Sequence, residues 1–174
     1  ALSDIACIGI ATPGIANTAT GVVEYANNIK FLNYPLAAKL SALLDGKPVY
    51  IENDANAAAK AEAMAGVAQG AQYSVMITLG TGVGGGIILG GKVISGFNYA
   101  GGELGHIVIE VDGVPCGCGR KGCWEAYSSA TGLIQMTKER MIAAPNSVTM
   151  LVGEADTPIP KRTEYELVTE EVCL

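Results

Sequence analysis

Short apolar runs bounded by glycine, proline or polar residues recur along the first half of the chain. Residues 5–11 are apolar and rich in isoleucine, and they stop at Thr12-Pro13-Gly14, which predicts a buried strand that meets a turn. Within this run we expect Cys7 to be a small buried thiol. Residues 22–26 predict a second short strand.

Helical spacing appears next. Residues 36–44 place apolar side chains at helical spacing and end before Asp45-Gly46, which predicts a helix with a defined stop. Residues 48–52 predict a strand. The alanine-rich residues 55–65 predict a helix that ends at Gly66.

The middle of the chain predicts a hairpin and the region after it a long helix. Residues 74–79 read as a strand that enters a glycine run at 80–86, continues through 87–89, turns at Gly90-Gly91 and returns over 92–94. Residues 124–141 predict one long helix. From residue 144 onward the pattern is weak and predicts no element.

Composition then narrows the class of protein. Of 174 residues, 49% are hydrophobic and 16% charged, which excludes a disordered chain. The formal net charge of −6 gives no electrostatic footprint for nucleic acid or an anionic membrane. There is no apolar run near the roughly 20 residues that span a bilayer and no basic flank of a signal peptide, so we expect a cytoplasmic protein. The first residue is not methionine, and we expect a processed, truncated or engineered start.

Three of the five cysteines lie close together in CGCGRKGC at positions 116–123. Two thiolates one residue apart and a third five further on can converge on one ion, and the only histidine, His106, lies ten residues upstream. Cys116, Cys118, Cys123 and His106 would complete a closed tetrahedral zinc shell of structural type. The alternatives are unligated thiols in a loop and, less well matched by a histidine, an iron–sulfur cluster.

Two further motifs have a functional and a plain structural interpretation. Asn53-Asp54-Ala55-Asn56 stands where an apolar strand meets a helix, so a carboxylate there can act as a general base, or it can simply cap the helix. The glycine run at 80–86 lacks the context of a dinucleotide-binding fingerprint. Its backbone amides and the Thr81 hydroxyl suit a triphosphate, whereas the plain alternative is a tight hairpin.

Two glutamates bracket the cysteine cluster. Glu103 precedes His106, and Glu125 follows Cys123. Carboxylates accept hydrogen bonds from sugar hydroxyls, although a lone glutamate is more often a solvated surface charge.

Together these segments resemble the ROK family of sugar kinases and sugar-responsive repressors, and above all its glucokinase branch. The matching stretches are residues 53–56, 79–86, 102–106 and 116–125, and the resemblance runs from about residue 8 to residue 141. It implies an α/β fold of the actin-like ATPase (ribonuclease H-like) type, in which two domains bind sugar and ATP in the cleft between them.

The resemblance also implies a role for each matching residue. Asp54 resembles the catalytic base. The residues that resemble sugar ligands are Asn28, in a loop that closes over the sugar, and Asn53, Glu103, His106 and Glu125. Gly80, Thr81 and Gly82 resemble the second phosphate-contacting turn. His106 would ligate zinc through one nitrogen and donate to the sugar through the other.

Two departures from the family pattern make the implied fold incomplete at both ends. No D-x-G-x-T phosphate turn precedes Ile5, and the chain stops soon after the helix that starts at Trp124. By resemblance, residues 1–66 are the remainder of the smaller N-terminal α/β domain, and residues 67–174 are part of the larger α/β domain with the zinc loop.

The implied reaction is transfer of phosphate from ATP to the 6-hydroxyl of an aldohexose, glucose by preference, with Mg²⁺ on the phosphates and a separate structural zinc. The implied partners are hexose and ATP, without nucleic acid or membrane, and a homodimer or larger homo-oligomer. We expect poor transfer by the chain alone. The rivals are the sugar-binding domain of a ROK repressor, which carries a helix-turn-helix that these residues lack, and a truncated zinc-bound module without activity.

Overall fold

The computed structural model describes residues 2–26 and 29–143. The predicted sugar ligand Asn28 and the stretch from residue 144 lie outside the described residues. The chain divides into two compact units. The first holds the residues up to Thr78 together with Gly84–Leu104, and the second holds Leu79–Val83 together with the residues from Gly105 onward. The domain boundary at residue 66 implied by the resemblance stays a prediction.

A parallel strand pair sets the frame of the first unit. Strand β1 (Ile8–Thr12) pairs with β5 (Val49–Asn53) in a register that places Thr12 opposite Asn53. Helix α1 (Leu36–Leu43) precedes β5 and contacts it. The carboxyl ends of the two strands therefore lie side by side, which is where ligands collect in α/β sheets.

Between β1 and α1 the chain forms a three-stranded antiparallel sheet. Its strands are β2 (Ile15–Asn17), β3 (Val22–Ala26) and β4 (Phe31–Tyr34), in the order β2-β3-β4. The small buried core of this part is built by Ala16, Val23, Ala26 and Ile51. Because Ile51 lies on β5, this core joins the antiparallel sheet to the parallel pair and fixes the end of β5.

A second three-stranded sheet follows helix α2 (Asp54–Ala65). Its strands are β6 (Tyr73–Leu79), β7 (Val83–Leu89) and β8 (Lys92–Val93), in that order. Helix α2 lies close to β7 because β7 carries glycine where the two meet. A Cβ on Gly86 would overlap with the Cβ of Ala59 and crowd the carbonyl of Ala55. Small residues on both sides thus permit the close approach.

Strand β6 has an unusual face. Along it, the exposed positions are all apolar, namely Tyr73, Val75, Ile77 and Leu79. In the sheet of the described residues β6 is an edge strand. No helix in the described part of the chain is long and apolar enough to cross a membrane.

Three predictions about local structure are wrong, two of them near the start of the chain. The first apolar run begins its strand at Ile8 rather than at residue 5, and Cys7 is exposed rather than buried. Within the described residues β1 pairs only with β5 and most of it is not buried, so a thiol just before β1 has no core to enter.

The predicted helix over 124–141 is two helices, α3 (Glu125–Ser128) and α4 (Ala130–Ala143). They are separated by Ser129, whose backbone is extended at φ −88° and ψ 163°. The Ser129 hydroxyl accepts a hydrogen bond of 2.9 Å from the Gly132 N–H. This is an N-cap, and it starts a new helix instead of continuing the first.

Candidate functional site

The strand-to-helix junction of the first unit separates two roles that the sequence left open. Asn53 has extended backbone and is the N-cap of α2, because its Oδ1 accepts the Asn56 N–H at 3.1 Å. Its Nδ2 also donates to the Gly14 carbonyl at 3.0 Å. Asp54 is the first helical residue and is exposed, and its Oδ1 accepts from the adjacent Ala55 N–H at 2.9 Å.

The residue that caps α2 is therefore Asn53 and not Asp54. The Asp54 carboxylate stands at the start of α2, where the positive end of the helix dipole favours a negative charge. Asn53, predicted to contact sugar, uses one lone pair and one N–H of its amide in the bonds with Asn56 and Gly14. Among the residues that the structure describes, a second lone pair and a second N–H of this amide are left for a ligand.

Asn56 is a buried polar residue that sequence reasoning did not single out as a candidate site residue. It is 2% exposed, and within the described part of the chain its Oδ1 has no hydrogen-bond partner. A Cβ on Gly102 would lie 3.0 Å from this oxygen and 2.5 Å from the Gly85 carbonyl. Gly102 is therefore required by close packing, and it is followed directly by Glu103, whose side chain is exposed. Asn56 was visible in the sequence only as the last member of its motif.

The glycine run at 80–86 serves two purposes. Gly84 and Gly86 lie against α2, and Gly85 lies against Leu104 and the Gly102 carbonyl, so these three serve packing within the first unit. Residues 80–82 instead form the turn between β6 and β7, in which the Gly80 N–H donates to the Gly82 carbonyl at 3.0 Å. Gly80 and Thr81 are exposed and Gly82 is half-buried, so this turn leaves backbone accessible to a phosphate ligand.

Contacts within the second unit hold that turn. Glu125 accepts the Val83 N–H through Oε2 at 2.9 Å, and a Cβ on Gly82 would overlap with the same carboxylate. On the other side, Thr131 donates through its hydroxyl to the Thr81 carbonyl at 2.8 Å. Glu125, predicted as a sugar ligand, is thus also bonded to the predicted phosphate turn.

The cysteine loop is folded by short backbone hydrogen bonds. Cys116 donates its N–H to the Arg120 carbonyl at 2.8 Å, and the Gly119 N–H returns to the Cys116 carbonyl at 3.0 Å. Gly119 and Gly122 have φ of +88° and +72°, a region that favours glycine. The Gly122 N–H also bonds to the Val114 carbonyl at 2.8 Å. The loop therefore reverses tightly enough to bring distant thiols together.

One atom from each of His106, Cys116, Cys118 and Cys123 converges on a common point. All four ligand atoms lie within 4.8 Å of one another. The Cys118 and Cys123 sulfurs are 3.6 Å apart, and the Cys116 sulfur lies 3.7 Å from Nδ1 of His106. A tetrahedral ion with bonds of about 2.3 Å to sulfur and 2.0–2.1 Å to nitrogen has edges of roughly 3.8 Å and 3.6 Å. The arrangement can hold such an ion.

The thiols differ in acidity. Loss of hydration raises the pKa of Cys118, but hydrogen bonds from the backbone and guanidinium of Arg120 and from the two neighbouring thiols outweigh it, and the pKa falls to about 6. Burial and hydrogen bonds with the neighbouring thiols raise the pKa of Cys123 to about 11. A bound cation would favour the thiolate form of both.

A tyrosine fastens α3 to the chain ahead of the cysteines. The Tyr127 hydroxyl accepts the Val114 N–H at 2.8 Å. A hydrogen bond that Tyr127 donates to the Glu110 carboxylate raises the pKa of Tyr127. Because Glu125 lies on the same short helix, this contact also restrains the position of its carboxylate.

The structure groups the predicted site residues as follows. Asn53, Asp54 and Glu103 belong to the first unit; Gly80, Thr81, Gly82, His106, Cys116, Cys118, Cys123 and Glu125 belong to the second. Within the second unit, Glu125 stands between the turn and the metal-ligating atoms, since its Oε1 lies 4.0 Å from the Cys116 sulfur.

Comparison with known proteins shows which family the chain is similar to. The ROK family model matches residues 1–164. A glucokinase of Streptomyces coelicolor is 42% identical over 153 residues, which are 88% of this chain and 48% of that protein. The chain therefore spans about half the length of the curated relatives it matches.

Two solved structures are similar as well. A ROK family glucokinase from Streptomyces griseus, in complex with glucose and AMPPNP, has a TM-score of 0.75 and 42% identity, and the match covers 86% of this chain and 48% of that one. A ROK family transcriptional regulator, a homologue of the E. coli MLC protein, has a TM-score of 0.74 and 34% identity, covering 85% of this chain and 37% of that one.

Proposed function

This chain belongs to the ROK family, and from that premise we propose that it carries part of an ATP-dependent hexose kinase that phosphorylates glucose at the 6-hydroxyl. Its α/β units are part of the actin-like ATPase fold of ROK sugar kinases. Two glucokinases among the similar proteins, one of them bound to glucose and AMPPNP, support glucose and ATP as the substrates.

One observation carries the proposal. Asn53 caps α2, so the exposed carboxylate of Asp54 is left without a structural duty of that kind. A carboxylate on a rigid strand-to-helix junction is a suitable acceptor for the proton of an attacking hydroxyl. We assign Asp54 as the general base.

The turn at Gly80–Gly82 would contact the phosphates of ATP. It is exposed or partly exposed and is held by Glu125 and Thr131, so its backbone dipoles are fixed before the nucleotide arrives. Mg²⁺ on the phosphates would neutralise charge that develops during transfer.

Zinc is the ion proposed for the site of His106 and the three cysteines. Three thiolates and an imidazole form a donor set typical of structural zinc, and the two measured separations match tetrahedral edges. The ion would fix the cysteine loop and the orientation of His106. With Nδ1 on the metal, the imidazole proton resides on Nε2, the atom that would donate to a sugar oxygen.

The remaining sugar contacts are carried over from the family pattern. Asn53 retains part of its amide for a hydroxyl, and Glu103 and Glu125 supply acceptors. Asn28 keeps its assignment as a prediction outside the described residues. The homo-oligomer and the cytoplasmic compartment also stay predictions.

The test compares Asp54→Asn with Asn53→Asp. Phosphorylation of glucose by ATP should be measured for the 174-residue chain and for a longer form of the protein that includes it. Whichever of these turns over glucose is the active form. In the active form, Asp54→Asn should lower kcat by about 10²–10⁴ because the proton acceptor is removed. The melting temperature should change little, since only a modest interaction with the helix dipole is lost. Asn53→Asp keeps the cap but loses the Nδ2 donor to the Gly14 carbonyl and part of the proposed sugar contact, so it should lower the melting temperature and raise the KM for glucose while the base at Asp54 stays in place. A near-normal kcat for Asp54→Asn would remove Asp54 as the base.

A second candidate function has its own support. The similar ROK transcriptional regulator favours a sugar-sensing module without phosphate transfer. Such a module would bind glucose with a Kd that is the same for the unaltered chain and for Asp54→Asn and would consume no ATP. Turnover of ATP that depends on glucose would exclude it.

A further inference from the structure

The first residues of helix α4 hold two carbonyls of the glycine turn. The Ala130 N–H donates to the Gly80 carbonyl at 2.9 Å, and the Thr131 hydroxyl donates to the Thr81 carbonyl at 2.8 Å. Both donors lie in the first turn of α4, so both carbonyls are drawn toward the same helix end. The contact between Thr131 and Thr81 spans 50 residues of sequence. It joins the glycine turn to α4 within the second unit.

Because peptide bonds are planar, the direction of these carbonyls also determines the direction of the turn's N–H groups. The described peptide bonds are all trans, and in a planar trans peptide the N–H points opposite to the carbonyl of the same unit. The Gly80 carbonyl shares its peptide with the Thr81 N–H, and the Thr81 carbonyl shares its peptide with the Gly82 N–H. Because both carbonyls point toward α4, both N–H groups point away from it, on one side.

The other N–H groups of the turn are already used. Gly80 donates to the Gly82 carbonyl at 3.0 Å, and Val83 donates to Glu125 at 2.9 Å. Among the described residues, the N–H groups of Thr81 and Gly82 have no acceptor. Two adjacent backbone donors that point the same way form a concave anion site of the kind that binds phosphate.

We propose that Thr131 is a positioning residue that orients the amides of Thr81 and Gly82 toward a phosphate group. The identification of that phosphate as part of ATP rests on the proposed function. Thr131 suits this role because its side chain is exposed, so its hydroxyl serves the turn and not a packed core. The cap of α4 is supplied separately by Ser129.

The test uses a matched set of single substitutions. Thr131→Val keeps the shape and removes the donor, Thr131→Ser keeps the donor, and Thr137→Val makes the same chemical change elsewhere on α4. The 174-residue chain, loaded with zinc, is titrated with inorganic triphosphate and separately with MgATP. Amide chemical shifts of Thr81 and Gly82 report the binding.

We expect both amides to shift in the unaltered chain. Thr131→Val should weaken triphosphate binding roughly 10-fold, the scale of one lost hydrogen bond to an orienting group, while Thr131→Ser and Thr137→Val should bind normally. In an active form, the KM for ATP should rise. The KM for glucose and the melting temperature should stay unchanged. A merely structural tie would instead lower the melting temperature without a selective effect on phosphate.

Several results would overturn the proposal. These are the absence of amide shifts with triphosphate in the unaltered chain, normal binding by Thr131→Val, or a failure of Thr131→Ser to restore binding. The proposed kinase function fails differently, through absence of glucose phosphorylation in any form of the protein. Triphosphate binding that depends on Thr131 would then still support the positioning role.

Discussion

The junction at Asn53 and the cysteine loop at 116–123 hold functional side chains by different means. The junction is the end of a paired strand, anchored by the core at Ile51 and closed by a helix cap. The loop has no long element and depends on glycines at positive φ, a few backbone hydrogen bonds and four convergent ligands. The comparison teaches that Asp54 is positioned by burial of apolar groups, whereas His106 depends on a loop whose four convergent side chains could hold a metal ion.

Removal of the proposed zinc ion should separate the two regions most strongly. Structural zinc contributes an apparent binding free energy of about 10–16 kcal/mol in small domains at pH 7, so chelation should abolish amide protection across 107–123 and leave β5 and α2 protected. Hydrogen exchange measures both regions in one sample.

Cysteine variants provide the control for chelation. Cys118→Ser should reduce bound zinc from one ion per chain to nearly none, whereas Cys7→Ser should keep it, although both cysteines are exposed. Equal loss of protection in the junction and the loop after chelation would contradict the distinction between the regions.

The backbone of the loop should be the next most sensitive point. Gly122 has φ +72°, and a Cβ there would overlap with the Glu110 carbonyl. Gly122→Ala should lower the stability of the second unit by about 2–4 kcal/mol, from left-handed strain and overpacking. At Gly117 a Cβ meets nothing within 4 Å, so Gly117→Ala serves as the control and should be nearly silent in denaturant unfolding of the zinc-loaded chain. Similar midpoints for the two variants would show that the ligands alone shape the loop.

Helix caps should give the smallest effect, and the cap at the junction should contribute about as much as the cap of α4, which lies outside the cysteine loop. Asn53→Ala and Ser129→Ala each remove an N-cap, of α2 and α4 respectively, and each should cost about 1 kcal/mol. Glycine at the same positions should cost only a few tenths of a kcal/mol. A loss at Asn53 several times larger than at Ser129 would mean that the bond to Gly14 contributes more than the cap itself.

Much of the fold was predictable because its elements are short and bounded by turn residues. The strand at Val22–Ala26 is confirmed, the helices predicted at 36–44 and 55–65 differ from the observed bounds by one residue, and the glycine hairpin is present. The resemblance to the ROK family and the α/β fold class are confirmed by the comparisons.

The failures follow from features that single positions do not reveal. Serine is compatible with a helix interior, so the break at Ser129 depends on its extended backbone and its capping bond. Asn53 and Asp54 are consecutive, and either residue type can cap a helix. The cap is Asn53 because it keeps extended φ and ψ, whereas Asp54 begins the helix. The contact between Thr131 and Thr81 joins residues far apart in sequence, and no periodic pattern predicts such a pair.

The apolar face of β6 affects how this chain behaves as a laboratory sample. Tyr73, Val75, Ile77 and Leu79 are exposed on an edge strand, and there is no charged residue between Glu62 and Lys92 to discourage pairing with a second copy. Long apolar edges without charge or proline promote intermolecular strand addition. At the concentrations that amide titrations require, self-association would protect the amides of β6 independently of any ligand. Sedimentation across a dilution series therefore belongs before each exchange measurement.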